Sequence, residues 1–153
     1  MTDVNDTLPD VTVADSAGNA VNLAALKGPL VLYFYPKADT PGCTNEAKDF
    51  TALSADFAAL NCPVYGMSKD KPAKLAKFAA KYELNVTLLS DEASDATEKM
   101  GAWVEKSMYG KSYMGIDRST YLVGKDGKVA QVWRKVKVKD HAAEVLAAAK
   151  AIG

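Results

Sequence analysis

Residues 30–44 read Leu30-Val31-Leu32-Tyr33-Phe34-Tyr35-Pro36-Lys37-Ala38-Asp39-Thr40-Pro41-Gly42-Cys43-Thr44. The first six are a continuous apolar run, as in a central strand covered on both faces. Pro36 ends that strand because proline has no N–H to give to the ladder. A turn over 37–42 follows, then a long helix whose buried stripe is Phe50, Leu53, Phe57 and Leu60 at helical spacing. Thr40 before Pro41 looks like an N-cap with proline at the first helical position. That places Cys43 in the first turn of a helix expected to run to about Leu60.

Outward from this strand–turn–helix, the chain alternates. Val11 to Val13, a Gly18-Asn19 turn and Val21 to Leu23 predict an N-terminal hairpin. Val64 to Met67 and Val86 to Leu89 read as strands, separated by a helix over 70–82 with Leu75, Phe78, Ala79 and Tyr82 inward. Residues 95–103 form a third helical patch. The aromatic-rich stretch from Trp103 to Tyr113 reads as a partner surface or a loop ordered over a pocket. Tyr121 to Val123 and Val129 to Trp133 flank Lys125-Asp126-Gly127, a hairpin signal. Asp140 is placed as the cap of a last helix ending near Ala151. The expected fold is α/β: a central mixed sheet flanked by helices, in one domain over 1–153. A strand, a turn, a reactive residue at a helix N-terminus and a later hairpin form the thioredoxin-like pattern.

The chain has 153 residues with 19 basic and 19 acidic side chains, so its formal charge is zero. A chain this long buries roughly 70% of its unfolded surface and needs no staples. Zero net charge removes the simplest case for a nucleic-acid partner, which rests on a basic excess. The run Arg134, Lys135, Lys137, Lys139 alternates with Val136 and Val138, as a strand with one wet face would. No apolar run approaches the ~18 residues that span a bilayer. The first ten residues are polar and acidic, and only two cysteines are present. These features point to a reduced, cytoplasmic protein.

Cys43 carries the chemistry. The thiolate is the nucleophile, and the unpaired N–H groups and dipole of a helix N-terminus favour it. Gly42 allows close approach to the backbone there. On position alone, a buried structural cysteine is an equally good reading. The surrounding string, however, resembles the peroxiredoxin active-site loop, with Pro36, Thr40 and Cys43 at PxxxTxxC spacing. The fuller Phe34-Tyr35-Pro36-Lys37 and Thr40-Pro41-Gly42-Cys43-Thr44 is similar to the bacterioferritin comigratory protein, or peroxiredoxin Q, branch. The likeness continues through Ser90-Asp91, Met108 to Lys111, Gly115 to Tyr121 and Trp133 to Val138.

The resemblance implies that Cys43 attacks a hydroperoxide and becomes a sulfenic acid. It implies that Thr40 hydrogen-bonds peroxide oxygen, which is compatible with capping. It also implies that Pro36 shields the pocket and that Arg118 stabilises thiolate and breaking O–O bond. Without the likeness, Arg118 reads as a surface arginine. Glu46 falls where the family has a carboxylate that orients the loop or Arg118, and Asp39 is read as structural. The implied reaction needs no metal and no bound organic cofactor. His141, the only histidine, is not expected to be catalytic.

The chain departs from the branch at the resolving thiol. One family position, five residues after the first cysteine, is Lys48, and the other, on the following helix, is Ala79. The remaining cysteine, Cys62, should lie at the far end of a helix roughly 25 Å long, while a disulfide needs Cα atoms within about 7 Å. Cys62 is therefore read as structural, with a two-cysteine cycle through it as the alternative. The expected cycle uses an external thiol such as thioredoxin, glutaredoxin or glutathione, on a monomer. Two rivals remain. A dithiol oxidoreductase needs Cys-x-x-Cys, whose first position here is Thr40. A non-catalytic thioredoxin-like interaction module shares the fold and would lack peroxide consumption.

Overall fold

The computed structural model describes residues 1–153. The elements run β1 (Thr12–Asp15), β2 (Ala20–Asn22), β3 (Leu30–Phe34), α1 (Pro41–Ala52), α2 (Ser54–Ala59), β4 (Val64–Ser68), α3 (Pro72–Tyr82) and β5 (Thr87–Ser90). They continue α4 (Ala96–Met100), β6 (Trp103–Met108), β7 (Lys111–Ile116), β8 (Ser119–Val123), β9 (Val129–Trp133) and α5 (His141–Ile152). A seven-stranded mixed sheet has the order β2-β1-β5-β4-β3-β8-β9, with β3–β4 and β4–β5 parallel and the other pairs antiparallel. The α/β fold with an N-terminal hairpin and a mixed sheet is thus as expected.

β3 lies inside the sheet and every residue of it is buried. Successive side chains point to opposite faces. Val31, Tyr33 and Tyr35 enter one core with Phe50 and Phe57 of α1 and α2, Leu75 and Phe78 of α3, and Val145 and Leu146 of α5. Leu30, Leu32 and Phe34 enter the other with Val11, Leu23, Met67, Met100 and Tyr121. An apolar run without alternation is what two covered faces require.

Several expectations need correction. The helix after Cys43 does not run unbroken to Leu60. Leu53 (φ −99°, ψ 9°) leaves helical geometry, its N–H bonds to Phe50 O, and α2 starts afresh at Ser54. The helical patch at 95–103 shrinks to α4, because Gly101 adopts φ 84° at its end and Trp103 opens a strand. The stretch from Trp103 to Tyr113 is not a loop. β6 and β7 form a separate antiparallel hairpin that turns through Tyr109 (φ 52°) and Gly110 (φ 76°). Residues 134–139 form no strand; Val136 N–H instead bonds Arg118 O at 2.9 Å. Asp140 precedes α5 but has φ 62° and makes no side-chain cap bond. No helix is long and apolar enough to cross a membrane.

Candidate active site

The parallel β3–α1–β4 unit brings the helix N-terminus back over the carboxyl edge of the sheet. Tyr35 N–H still bonds Met67 O at 3.1 Å, and Pro36 then stops the ladder. Pro36 is exposed on the short link to α1. Thr40 occupies the N-cap position in extended geometry, with Pro41 first in the helix. Its side chain does not cap, which corrects the capping expectation: the Thr40 hydroxyl donates to Lys37 O at 2.8 Å. Its proton is committed there, which leaves the Thr40 oxygen free only as an acceptor. Thr44 N–H bonds Thr40 O at 2.8 Å and begins the helical ladder. The N–H groups of Gly42 and Cys43 come before it, in the part of a helix that has no internal acceptor.

Cys43 is 2% exposed. The antiparallel pairing of β8 with β3, Ser119 opposite Phe34, delivers Arg118 to the same edge from 75 residues away. Arg118 Nη2 is 3.4 Å from Cys43 Sγ, and Nη1 donates to Glu46 Oε1 at 2.7 Å. The sequence reading places Arg118 near this helix end through the family likeness and through its position just before the strand from Tyr121 to Val123, which a thioredoxin-like fold brings there; the strand register supplies the physical cause. A Cβ at Gly42 would lie 3.2 Å from Arg118 Nη2, so the glycine leaves room for the guanidinium.

Glu46 lies one turn after Cys43 and is 1% exposed, with Oε2 buried and unpartnered. Two effects oppose at its carboxyl. Burial pushes it up, Arg118 pulls it down, and burial wins, leaving it at about 7. Arg118, half-buried beside it, is itself pushed up by Glu46 and Cys43 against the cost of its own burial. Arg118 is thus shared between the Glu46 carboxyl and the Cys43 sulfur. Tyr33 lies in the same pocket, its hydroxyl buried and unpartnered, and burial first, then Glu46, raises it well above its ordinary range.

Cys62 is placed elsewhere. Pro63 O accepts from Val31 N–H at 2.9 Å, so Cys62 sits at the amino edge of β3 while Cys43 lies beyond its carboxyl edge. The length of β3, about 13 Å, separates those edges. Burial pushes the Cys62 thiol up to about 11. The largest cavity, about 580 Å³, is at that end too, lined by Phe57, Cys62, Val64 and Val86 among others. It contains none of the groups that converge on Cys43. Convergent chemistry outweighs volume here, since a peroxide group needs no cavity of that size. His141 is buried, bonds Thr120 Oγ1 at 2.8 Å and meets Phe50 and Trp133 edge-on. Burial lowers its pKa, and no hydrogen bond joins it to Cys43 or Arg118.

The family model described as the AhpC/TSA family matches residues 4–132. The chain belongs to the AhpC/TSA family. Within it, the chain is 44% identical to Peroxiredoxin Bcp of Bacillus subtilis over 145 residues, 94% of this chain and 92% of the relative. It is 44% identical to Peroxiredoxin Bcp of Escherichia coli K12 over 137 residues, 89% and 88% of the two chains. Among solved structures it is similar to the bacterioferritin comigratory protein of Xanthomonas campestris, studied for alkyl peroxide reduction. That match has 42% identity and a TM-score of 0.89, covering 97% of this chain and 98% of that one. The peroxiredoxin and thioredoxin-like resemblance of the sequence is therefore correct.

Proposed function

We propose that Cys43 is the peroxide-reactive thiolate of a one-cysteine cycle. As a Bcp-type member of its family the chain is a thiol-dependent peroxidase. The observation that carries the assignment to Cys43 is the Arg118 guanidinium 3.4 Å from its sulfur at an open helix N-terminus. Cys43 S⁻ attacks one oxygen of ROOH in line with the O–O bond. An S–O bond forms, the O–O bond breaks, and RO⁻ leaves and takes a proton to give ROH and the Cys43 sulfenic acid. Arg118 and the first-turn N–H groups face the charge that develops on oxygen, a preorganised electrostatic effect. Thr40, its own proton on Lys37 O, accepts from the hydroperoxide O–H and orients it. Pro36 contributes no N–H at the pocket edge.

Resolution comes from outside the chain. Lys48 and Ala79 are not thiols, and Cys62 is a strand length away. An external thiol R′SH condenses with the sulfenic acid, giving a mixed disulfide and water. A second thiol then releases Cys43 and R′SSR′. Thioredoxin, glutaredoxin and glutathione in a cytoplasmic setting are the reductant class, and hydrogen peroxide and alkyl hydroperoxides the substrates. The alkyl class is supported by the Xanthomonas relative.

The test is hydroperoxide consumption with excess dithiothreitol by wild type, Cys43→Ser and Cys62→Ser. Activity retained in Cys62→Ser and lost in Cys43→Ser is expected. Activity retained in Cys43→Ser would overturn the assignment to Cys43.

A further inference from the structure

Asp39 has the most unusual backbone near Cys43, a non-glycine residue at φ 61°. L-residues avoid this region unless the surroundings hold them in it. Its carboxylate is held from outside the loop. Tyr82 O–H donates to Oδ1 at 2.6 Å and Lys81 Nζ to Oδ2 at 2.9 Å, both from the last turn of α3. Ala38 N–H, next in the chain, donates to Asp70 Oδ2 at 2.7 Å, and Asp70 also accepts from Ser68 Oγ at 2.8 Å. Thr40 closes the turn onto Lys37 O. The turn is thus pinned to the end of β4 through Ala38 and to α3 through Asp39, and Thr40 follows directly. Lys48 of α1 also approaches Tyr82, with Nζ 5.8 Å from the ring centre. Since neither Lys48 nor Ala79 supplies a thiol, the proposed cycle does not require α1 and α3 to part.

We infer that Asp39 is a positioning residue: clamped by Tyr82 and Lys81, it fixes the 37–40 turn and with it the acceptor oxygen of Thr40 over Cys43. This rests on the roles proposed above for Thr40 and Cys43. Tyr82 and then Lys81 hold the Asp39 carboxyl below its ordinary range, in keeping with a formed clamp. Exposed pairs of this kind contribute little to global stability, so effects on rate and on folding are separable.

The experiment measures the second-order rate of Cys43 oxidation by hydrogen peroxide, beside the melting temperature, in wild type and four variants. Asp39→Gly keeps the left-handed backbone without strain and loses both bonds. Its rate should fall about three- to tenfold, the scale of one hydrogen bond, with little change in melting temperature. Asp39→Asn keeps an oxygen for Tyr82 and should recover most of the rate. Tyr82→Phe should slow the reaction as Asp39→Gly does, and the double variant Asp39→Gly/Tyr82→Phe should be no slower than either, as for two halves of one contact. A wild-type rate in Asp39→Gly, an Asp39→Asn as slow as Asp39→Gly, or additive effects in the double variant would overturn the clamp. Failure of wild-type Cys43 to oxidise would instead overturn the peroxidase assignment on which the clamp rests.

Discussion

Replacing Glu46 by glutamine should change how stability depends on pH. Glu46 is 1% exposed, and its carboxyl rises from 4.5 to about 7 because burial outweighs the attraction of Arg118. An acid raised in this way keeps its proton in the folded state where the unfolded chain has lost it. Its contribution is therefore fully present below about 4.5, declines as pH rises, and is gone above about 7. That shift, at 1.36 kcal/mol per unit, corresponds to about 3 kcal/mol. The glutamine side chain of Glu46→Gln does not titrate, yet its amide oxygen can still accept from Arg118 Nη1. Any constant difference between acid and amide shifts the whole curve without bending it. His141, lowered by burial, adds a slope of opposite sign, but it does so in both proteins and cancels in the difference. Urea unfolding followed by the fluorescence of Trp103 and Trp133 gives the stabilities. Between about pH 4.5 and 8, wild type should lose about 3 kcal/mol relative to Glu46→Gln. A difference constant to within about 0.5 kcal/mol would show that Glu46 ionises as readily in the folded chain as in the unfolded one, and would refute the view that burial outweighs Arg118 at its carboxyl.

Arg118→Met should slow oxidation of Cys43 by hydrogen peroxide about a hundredfold, the usual loss for one preorganised donor, measured by stopped flow. Gly42→Ala should leave stability unchanged or raise it by about 0.5–1 kcal/mol, since alanine suits a helix better. The same change should lower the peroxide rate, because the new Cβ meets Arg118 Nη2 at 3.2 Å; a faster or unchanged rate would remove Gly42 from the site. Cys62, 1% exposed with its thiol pushed up to about 11, should resist iodoacetamide at pH 8 until urea unfolds the chain, as peptide mass mapping would reveal.

The parts of the fold that were legible in the sequence are those where local pattern and tertiary demand agree. The run from Leu30 to Tyr35 needs both faces covered, and the two cores cover it. Pro36 and Pro41 mark where the ladder stops and the helix starts. The β6–β7 hairpin was missed because its turn is Tyr109-Gly110, not the Asn-Gly or Asp-Gly that signals such turns, and its aromatic strands resemble a surface loop. The basic run at 134–139 alternates as a strand does, yet β9 ends at Trp133 and the segment bonds to Arg118 O instead. The break at Leu53 carries no glycine or proline to announce it. In the site, the closeness of Arg118 to Cys43 depends on the β3–β8 register, which no local pattern encodes, so the family likeness supplied what periodicity could not. The Asp39–Tyr82 contact spans 43 residues and was invisible for the same reason.

The central claim is that Cys43 alone forms and holds the sulfenic acid. Intact mass after one equivalent of hydrogen peroxide, with a sulfenic-acid trap, on wild type and Cys62→Ser tests it directly. One trapped adduct, mapped to Cys43 in both proteins, is the predicted result. A loss of two hydrogens in wild type only would contradict it, by making Cys62 the resolving thiol across the length of β3.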